Sequence, residues 1–318
     1  MIAFVVFAVL AALAGITLAG TLAIERAYPP AGRFVAVDGG RLHIVERGSP
    51  DAPPVVLLHG ASGNLGDIGL ALADRLATRY RVILVDRPGH GWSDRPDGRD
   101  EASPARQAAL IHQALAKLGV PHAVFVGHSW SGALATAYAL AYPDEVAGLV
   151  LLAPVTHPWP GGVSWLNHLI ATPVLGPLIA YTAILPIGYF MVPPGVAAVF
   201  APETPPPDYI ARTGARMVLR PSEFIANAQD LVGLKQFVTA QAPHYGELKM
   251  PVAIIAGDAD RVVYTDIHAR GIAAQLPDAT LTVLPGVGHM VTYAAPERVV
   301  QAVDEVAAKS GLIPGNGR

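Results

Sequence analysis

Six short apolar runs constrain this chain more than any other feature. They are residues 55–59 (VVLLH), 82–86 (VILVD), 123–127 (AVFVG), 148–152 (GLVLL), 252–256 (VAIIA) and Thr280–Leu284. A strand with one wet face alternates apolar and polar residues, whereas a near-continuous apolar run suits a parallel strand covered on both faces. Helical patterns lie between the runs, at 66–78, 104–118, 130–142, 266–275 and 296–309. Ser103-Pro104 reads as an N-cap followed by proline at the first helical position. Residues 34–38 and 42–46, joined by Gly39-Gly40, read as a hairpin that adds two strands. The alternation predicts an α/β fold: a mostly parallel, eight-stranded sheet with helices on both faces. It breaks between about Val155 and Tyr245 and then resumes, which has the form of a helical lid inserted after the sixth strand. The expected organisation is an N-terminal anchor at 1–27, a first core part at 28–153, the lid at 154–245 and a second core part at 246–318. No internal repeat is visible.

Charge is scarce, and locally so. Lys+Arg number 22 and Asp+Glu 25 in 318 residues, 15%, against about 25% in an average soluble domain. Residues 1–24 contain no charged side chain, and neither do residues 146–202. Outside these two runs about one residue in five is charged, which is ordinary. The 52% hydrophobic content excludes a disordered chain. A net charge of −3 without any basic block argues against nucleic acid as a partner. The absence of cysteine excludes disulfides and thiolate metal sites.

As a helix, 24 residues reach about 36 Å, enough for the roughly 30 Å of bilayer hydrocarbon. A cleaved signal would want a basic start, an apolar core of about 7–15 residues and a small-x-small site. No Lys or Arg precedes this core, the core is too long, and Thr21-Leu22-Ala23 is a poor cleavage site. The run is therefore expected to be an uncleaved single-pass anchor in a bacterial inner membrane. A secreted or periplasmic product after cleavage is the alternative, and a buried soluble helix a third. Arg26, Arg33 and Arg41 follow the span and favour a cytoplasmic catalytic domain. Tyr28-Pro29-Pro30-Ala31-Gly32 reads as a short stiff linker.

Gly127-His128-Ser129-Trp130-Ser131-Gly132 lies between a strand and a helix. A nucleophilic serine on such a tight turn needs small neighbours, because larger side chains would clash across it. The strict pattern has glycine two residues before and two after the serine. Ser131 departs from it but is small. A Gly/Ser turn without chemistry is the bland alternative. In this architecture the loop after residues 55–59 supplies one oxyanion-hole N–H and the residue after the nucleophile the other; these would be Ala61 and Trp130. An acid is expected after a later strand and a histidine after the last. Gly257-Asp258-Ala259-Asp260 and Gly288-His289 stand there, with Asp258 competing against Asp260. Serine needs a base, and the base an acid that fixes its tautomer.

These pieces, with His59-Gly60 and the Asp86-Arg87-Pro88-Gly89-His90-Gly91-Trp92-Ser93 stretch, resemble the α/β-hydrolase fold superfamily. The similarity is to its epoxide hydrolase, haloalkane dehalogenase, haloperoxidase, C–C hydrolase and esterase group, over about residues 33–153 and 246–310. The resemblance implies a catalytic Ser129, Asp260 and His289, with Asp260 preferred because the family's acid sits three residues after a glycine. It also implies a structural role for 86–93. Dehalogenases and epoxide hydrolases use an aspartate where Ser129 stands, so a serine hydrolase acting through an acyl-enzyme is expected. C–C hydrolysis, acyl transfer or perhydrolysis by the same triad is the alternative, and a non-catalytic small-molecule receptor a remoter one. No cofactor and no metal is expected, since neither a dinucleotide fingerprint nor metal-ligand spacing is present.

The lid carries twelve prolines between Pro154 and Pro207, with many large apolar residues among them. Pro173, Pro177 and Pro186 are expected to interrupt any 20-residue span and leave short helices. A second spanning helix is possible on hydropathy alone. The bland reading is that these helices bury their apolar side on the core. So much apolar surface nevertheless suggests that part of it lines a pocket for a small apolar acyl substrate or touches lipid. His157 and His168 are read as lid packing.

Overall fold

The computed structural model describes residues 1–313. A helix α1 (Ile2–Ala27) leads into a hairpin of β1 (Arg33–Val37) and β2 (Gly40–Arg47). Then follow β3 (Pro54–Leu58), α2 (Leu65–Leu76), β4 (Arg81–Val85), α3 (Pro104–Lys117), β5 (Ala123–His128), α4 (Ser131–Ala141) and β6 (Val146–Leu152). The insert contains α5 (Trp165–Ile170), α6 (Leu175–Ile179), α7 (Leu185–Phe200), α8 (Tyr209–Thr213) and α9 (Pro221–Gln241). The chain closes with β7 (Val252–Gly257), α10 (Ala269–Gln275), β8 (Thr280–Leu284), α11 (Val291–Ala294) and α12 (Pro296–Lys309). The eight strands form one sheet in the order β1-β2-β4-β3-β5-β6-β7-β8. The β1–β2 and β2–β4 pairs are antiparallel, and all others are parallel.

Side chains alternate across a strand, so each inner strand feeds two cores. Val55 and Leu57 pack with Ile68 and Leu72 of α2 and Val299, Val303 and Val306 of α12. Val56 and Leu58 face the other way, toward Leu110, Ile111 and Leu115 of α3, Leu134 and Tyr138 of α4 and Ile272 of α10. Both faces being covered is why these strands carry almost no polar residue. Strand boundaries fall within two residues of those the apolar runs predict. The helix expected at 266–275 begins only at Ala269. Ser103 caps α3 by position, but its hydroxyl makes no capping bond.

One expectation needs correction. Pro173 does lie in a break between α5 and α6, and α5 and α8 are short, but Pro177 and Pro186 do not interrupt the helical run that contains them. α6, a π-helical turn (Ala180–Ile184) and α7 run on as a continuous rod of 26 residues, Leu175–Phe200. Pro177 sits in the first turn, whose N–H groups lack helical partners anyway. Pro186 follows the π-turn, and Pro193 and Pro194 lie inside α7. A π-turn is a common accommodation where the regular hydrogen-bond ladder is disturbed. Both α1 and the rod are long and apolar enough to cross a membrane, and both are largely exposed. Nor is the stretch after α1 a free linker: the Tyr28 carbonyl accepts from the Trp92 indole at 2.9 Å.

Candidate active site

The turn from β5 into α4 sets the geometry. Ser129 sits at φ +55°, a left-handed conformation that costs a non-glycine residue energy and recurs at functional sites. Two backbone bonds at 2.9 Å hold it: Ser129 N–H to the Leu152 carbonyl, and Val155 N–H to the Ser129 carbonyl. A Cβ at Gly127 would come within 2.5 Å of the Ser131 carbonyl, and one at Gly132 within 2.4 Å of Pro154. Both glycines are therefore sterically required. Ser131 is not a defect in the pattern. Its side chain is fully buried, and its hydroxyl donates to the His59 carbonyl, tying the turn to the loop after β3.

The loops after β7 and β8 bring Asp260 to His289. Asp260 Oδ2 lies 2.8 Å from His289 Nδ1. Its Oδ1 accepts from the N–H groups of Val262 and Val263 at 2.8 and 2.9 Å. Asp258 points elsewhere and accepts from the Gly286 N–H at 2.6 Å. Glu203, just past the rod, accepts from the Gly288 N–H through both oxygens at 3.3 and 3.2 Å. Ser129 and His289 line the same two cavities, and no hydrogen bond joins hydroxyl to ring. Such bonds often form only when substrate is bound. The Ala61 and Trp130 N–H groups flank Ser129, and neither is taken up by another backbone carbonyl. The five residues singled out from the sequence thus come together around one point.

That point joins two chambers. One, of about 270 Å³, runs under the rod between Val192, Val196, Val199, Phe200 and Tyr209. The other, of about 360 Å³, is bounded by Trp159, Asn167, Leu231, Leu234 and Tyr264. Apolar side chains dominate the first.

Several supporting residues have partners far away in the chain, which the sequence does not name. Arg87 is fully buried; its guanidinium donates to Asp230 of α9 at 2.8 Å and lies 4.0 Å from the Trp130 ring centroid. The Trp130 indole N–H donates to the Asp230 carbonyl at 3.2 Å, which clamps the side chain beside one proposed oxyanion donor. Asp86 accepts from Leu65 N–H and Trp92 N–H and lies 2.7 Å from His43. The 86–93 stretch is thus a brace. Asp67 lines the first chamber and accepts from the Tyr209 hydroxyl at 2.7 Å. Burial raises its pKa, opposed by tyrosine hydrogen bonds. Asn227 accepts from Ser62 N–H and donates to its hydroxyl, fixing the loop that carries Ala61.

Burial also keeps the surrounding imidazoles neutral. His128 is pushed down to about 3, first by burial and then by neighbouring His289. His268, beside the second chamber, falls to about 4 by burial and by His157. His59 and His90 are driven well below the ordinary histidine value, mainly by burial. These rings therefore add no positive charge around His289 at neutral pH.

A doubly covered parallel sheet with a serine turn after its central strand defines a class. The family model described as the alpha/beta hydrolase fold matches residues 53–174. The chain is 31% identical over 287 residues to a 2-hydroxy-6-oxononadienedioate/2-hydroxy-6-oxononatrienedioate hydrolase of Paraburkholderia phymatum, covering 83% of this chain and 91% of that one. Among solved structures it is similar to the esterase RhEst1 from a Rhodococcus species, with 26% identity, a TM-score of 0.66, and coverage of 87% and 98%. A bacterial membrane phospholipase A has the same fold over 98% of both chains, with 23% identity and a TM-score of 0.69. This protein belongs to the α/β-hydrolase fold family.

Proposed function

We propose that the protein is a membrane-anchored serine hydrolase that cleaves an apolar carboxylic ester or related acyl bond. The observation that carries this reading is the convergence of Ser129 and the Asp260–His289 pair where an apolar chamber meets a second cavity. Ser129 Oγ attacks the acyl carbon, and His289 Nε2 takes its proton. Asp260 holds Nδ1–H and stabilises the imidazolium that forms. The tetrahedral oxyanion is held by the Ala61 and Trp130 N–H groups, which need not move as charge develops. His289 then protonates the leaving alcohol. Water, activated by the same ring, releases the acid from Ser129 and restores the site.

The insert serves as a lid, and the substrate's acyl chain lies in the chamber under Val192, Val196 and Val199. α1 holds the enzyme at the membrane. The similar esterase supports ester chemistry, and the similar phospholipase, whose likeness covers α1, suits a lipid-derived substrate. The test is Ser129→Ala, assayed on acyl esters of graded chain length. Hydrolysis should fall by about a thousandfold or more with the melting temperature preserved. Retained turnover would sink the reading. A product screen with water, alcohol and peroxide as acceptors separates hydrolysis from acyl transfer and perhydrolysis.

A further inference from the structure

α1 does not stand free of the protein. Leu10, Leu13, Ala14, Thr17, Gly20, Thr21 and Ile24 are buried or partly buried, at the three- and four-residue spacing of one helix face. That face meets the rod. Ile24 packs in one cluster with Ala180, Ile184 and Leu185. Gly20 is a socket: a Cβ there would lie 2.6 Å from a Leu185 methyl. Glu25 pairs with Arg220 at 3.6 Å.

The contact includes one polar bond. In a helix the residue 186 N–H would donate to the residue 182 carbonyl, but Pro186 has no N–H. The Thr17 hydroxyl of α1 donates to that Thr182 carbonyl at 3.2 Å, and Thr17 is buried. In hydrocarbon no water is present to satisfy such a carbonyl, and Ser or Thr side chains commonly do so.

Length accounting then fixes where the rod must be. Residues 1–9 of α1 are exposed on all sides. They extend about 14 Å, less than half of the roughly 30 Å of hydrocarbon. Thr17 lies only about 7 Å beyond the midpoint of the 24-residue run, well inside that thickness. If α1 spans, it takes Thr182 and Leu185 in with it. The rod's outer face suits that place. Ile187 is 63% exposed, Phe190 76% and Met191 60%, and residues 146–202 carry no charge.

We propose that α1 and the Leu175–Phe200 rod enter the lipid as one unit, with Tyr181, Ile187, Phe190 and Met191 against lipid acyl chains. This rests on reading α1 as an anchor. Its consequence concerns the substrate. Met191 faces out while Val192, next to it, lines the chamber of Ser129. Lipid-facing and chamber-facing residues thus share one helix, and a substrate acyl chain passes from the leaflet to Ser129 around the rod without crossing water.

The chain has no cysteine, so single-cysteine variants can carry an environment-sensitive fluorophore. Phe7→Cys, Phe190→Cys and Lys249→Cys would be labelled in the full chain, in phosphatidylcholine vesicles containing acyl-chain spin-labelled lipid. The expected result is blue-shifted emission with several-fold lipid quenching at positions 7 and 190, and neither at 249. Quenching at 7 but not 190 would leave the anchor intact and overturn the joint entry. Quenching at neither would remove the anchor and this proposal with it. A blue shift at 190 without lipid quenching would mean a second copy of the chain covers the rod, also overturning the proposal. As a functional arm, the double substitution Ile187→Asp, Phe190→Asp should lower turnover of a vesicle-embedded long-chain ester by about tenfold or more, leaving a short soluble ester unaffected. Equal loss on both esters, or no loss on the vesicle, would overturn it.

Discussion

The sheet and the α1–rod unit are both built from apolar residues and dispose of them in opposite ways. Val55, Val56, Leu57 and Leu58 of β3 expose nothing, and every face they have is met by a helix of the same chain. On the rod, Ile187, Phe190 and Met191 are more exposed than covered. The backbones differ likewise. Strand N–H and C=O groups pair in regular ladders, whereas the rod contains prolines and takes a hydroxyl from another helix on its Thr182 carbonyl. Hydrophobicity in the sheet therefore makes a core, while in the rod it makes a surface.

Four changes probe that contrast, in falling order of effect. Asp260→Asn should reduce hydrolysis by about a thousand- to ten-thousandfold, because the imidazole loses the partner that fixes its tautomer. Folding, followed by thermal melting, should be little changed, and vesicle binding through the rod unchanged. Next comes the ionic tie between α9 and the loop that follows β4 of the sheet. Asp230 of α9 pairs with Arg87 at 2.8 Å and with Arg95 at 3.0 Å. Asp230→Ala leaves a fully buried guanidinium without its counter-charge and should cost about 3–5 kcal/mol in urea unfolding.

Acid should act on the sheet region before the rod. The folded pKa values of His128 and His268, about 3 and about 4, lie below the ordinary value of the unfolded chain. The unfolded state then binds more protons as pH drops below about 6.5. Stability contributed by these neutral rings is complete above that pH and is lost as pH falls toward 4 and 3. Each ring should weaken the fold by roughly 1.4 kcal/mol per pH unit in that window. Melting temperatures at pH 7 and 4.5 would check this, and His128→Asn should flatten the slope. The rod, whose only titratable side chains are Tyr181 and Tyr189, should contribute nothing to it. The smallest effect belongs to Thr17→Val, which removes the hydroxyl bonded to the Thr182 carbonyl. A cost of about 1 kcal/mol is expected, seen as faster amide exchange across 175–200 with the sheet unaffected.

The same contrast explains what the sequence disclosed. Sheet order follows from local signals: apolar runs of strand length, glycines at 39 and 40, and a Gly-His-Ser turn whose neighbours must be small. Ser129, Asp260 and His289 are readable because each stands at a fixed offset from a strand end. Rod continuity was not readable. Pro186 is a helix breaker by local rules, and the hydroxyl that meets the rod beside it, that of Thr17, lies 165 residues from its partner Thr182. The same holds for Arg87 with Asp230 and Asp67 with Tyr209, pairs separated by 143 and 142 residues. A buried polar group announces itself only with its partner, and one chain read end to end does not say which partner that is.

The Glu203 carboxylate on the Gly288 N–H has a mechanical meaning. Gly288 also abuts the rod's exit, since a Cβ there would lie 2.2 Å from the Ala201 carbonyl. The residue before His289 is thus both tethered to and wedged against the end of α7. The peptide that carries the His289 ring is therefore fastened, one residue upstream, to the point where the rod ends.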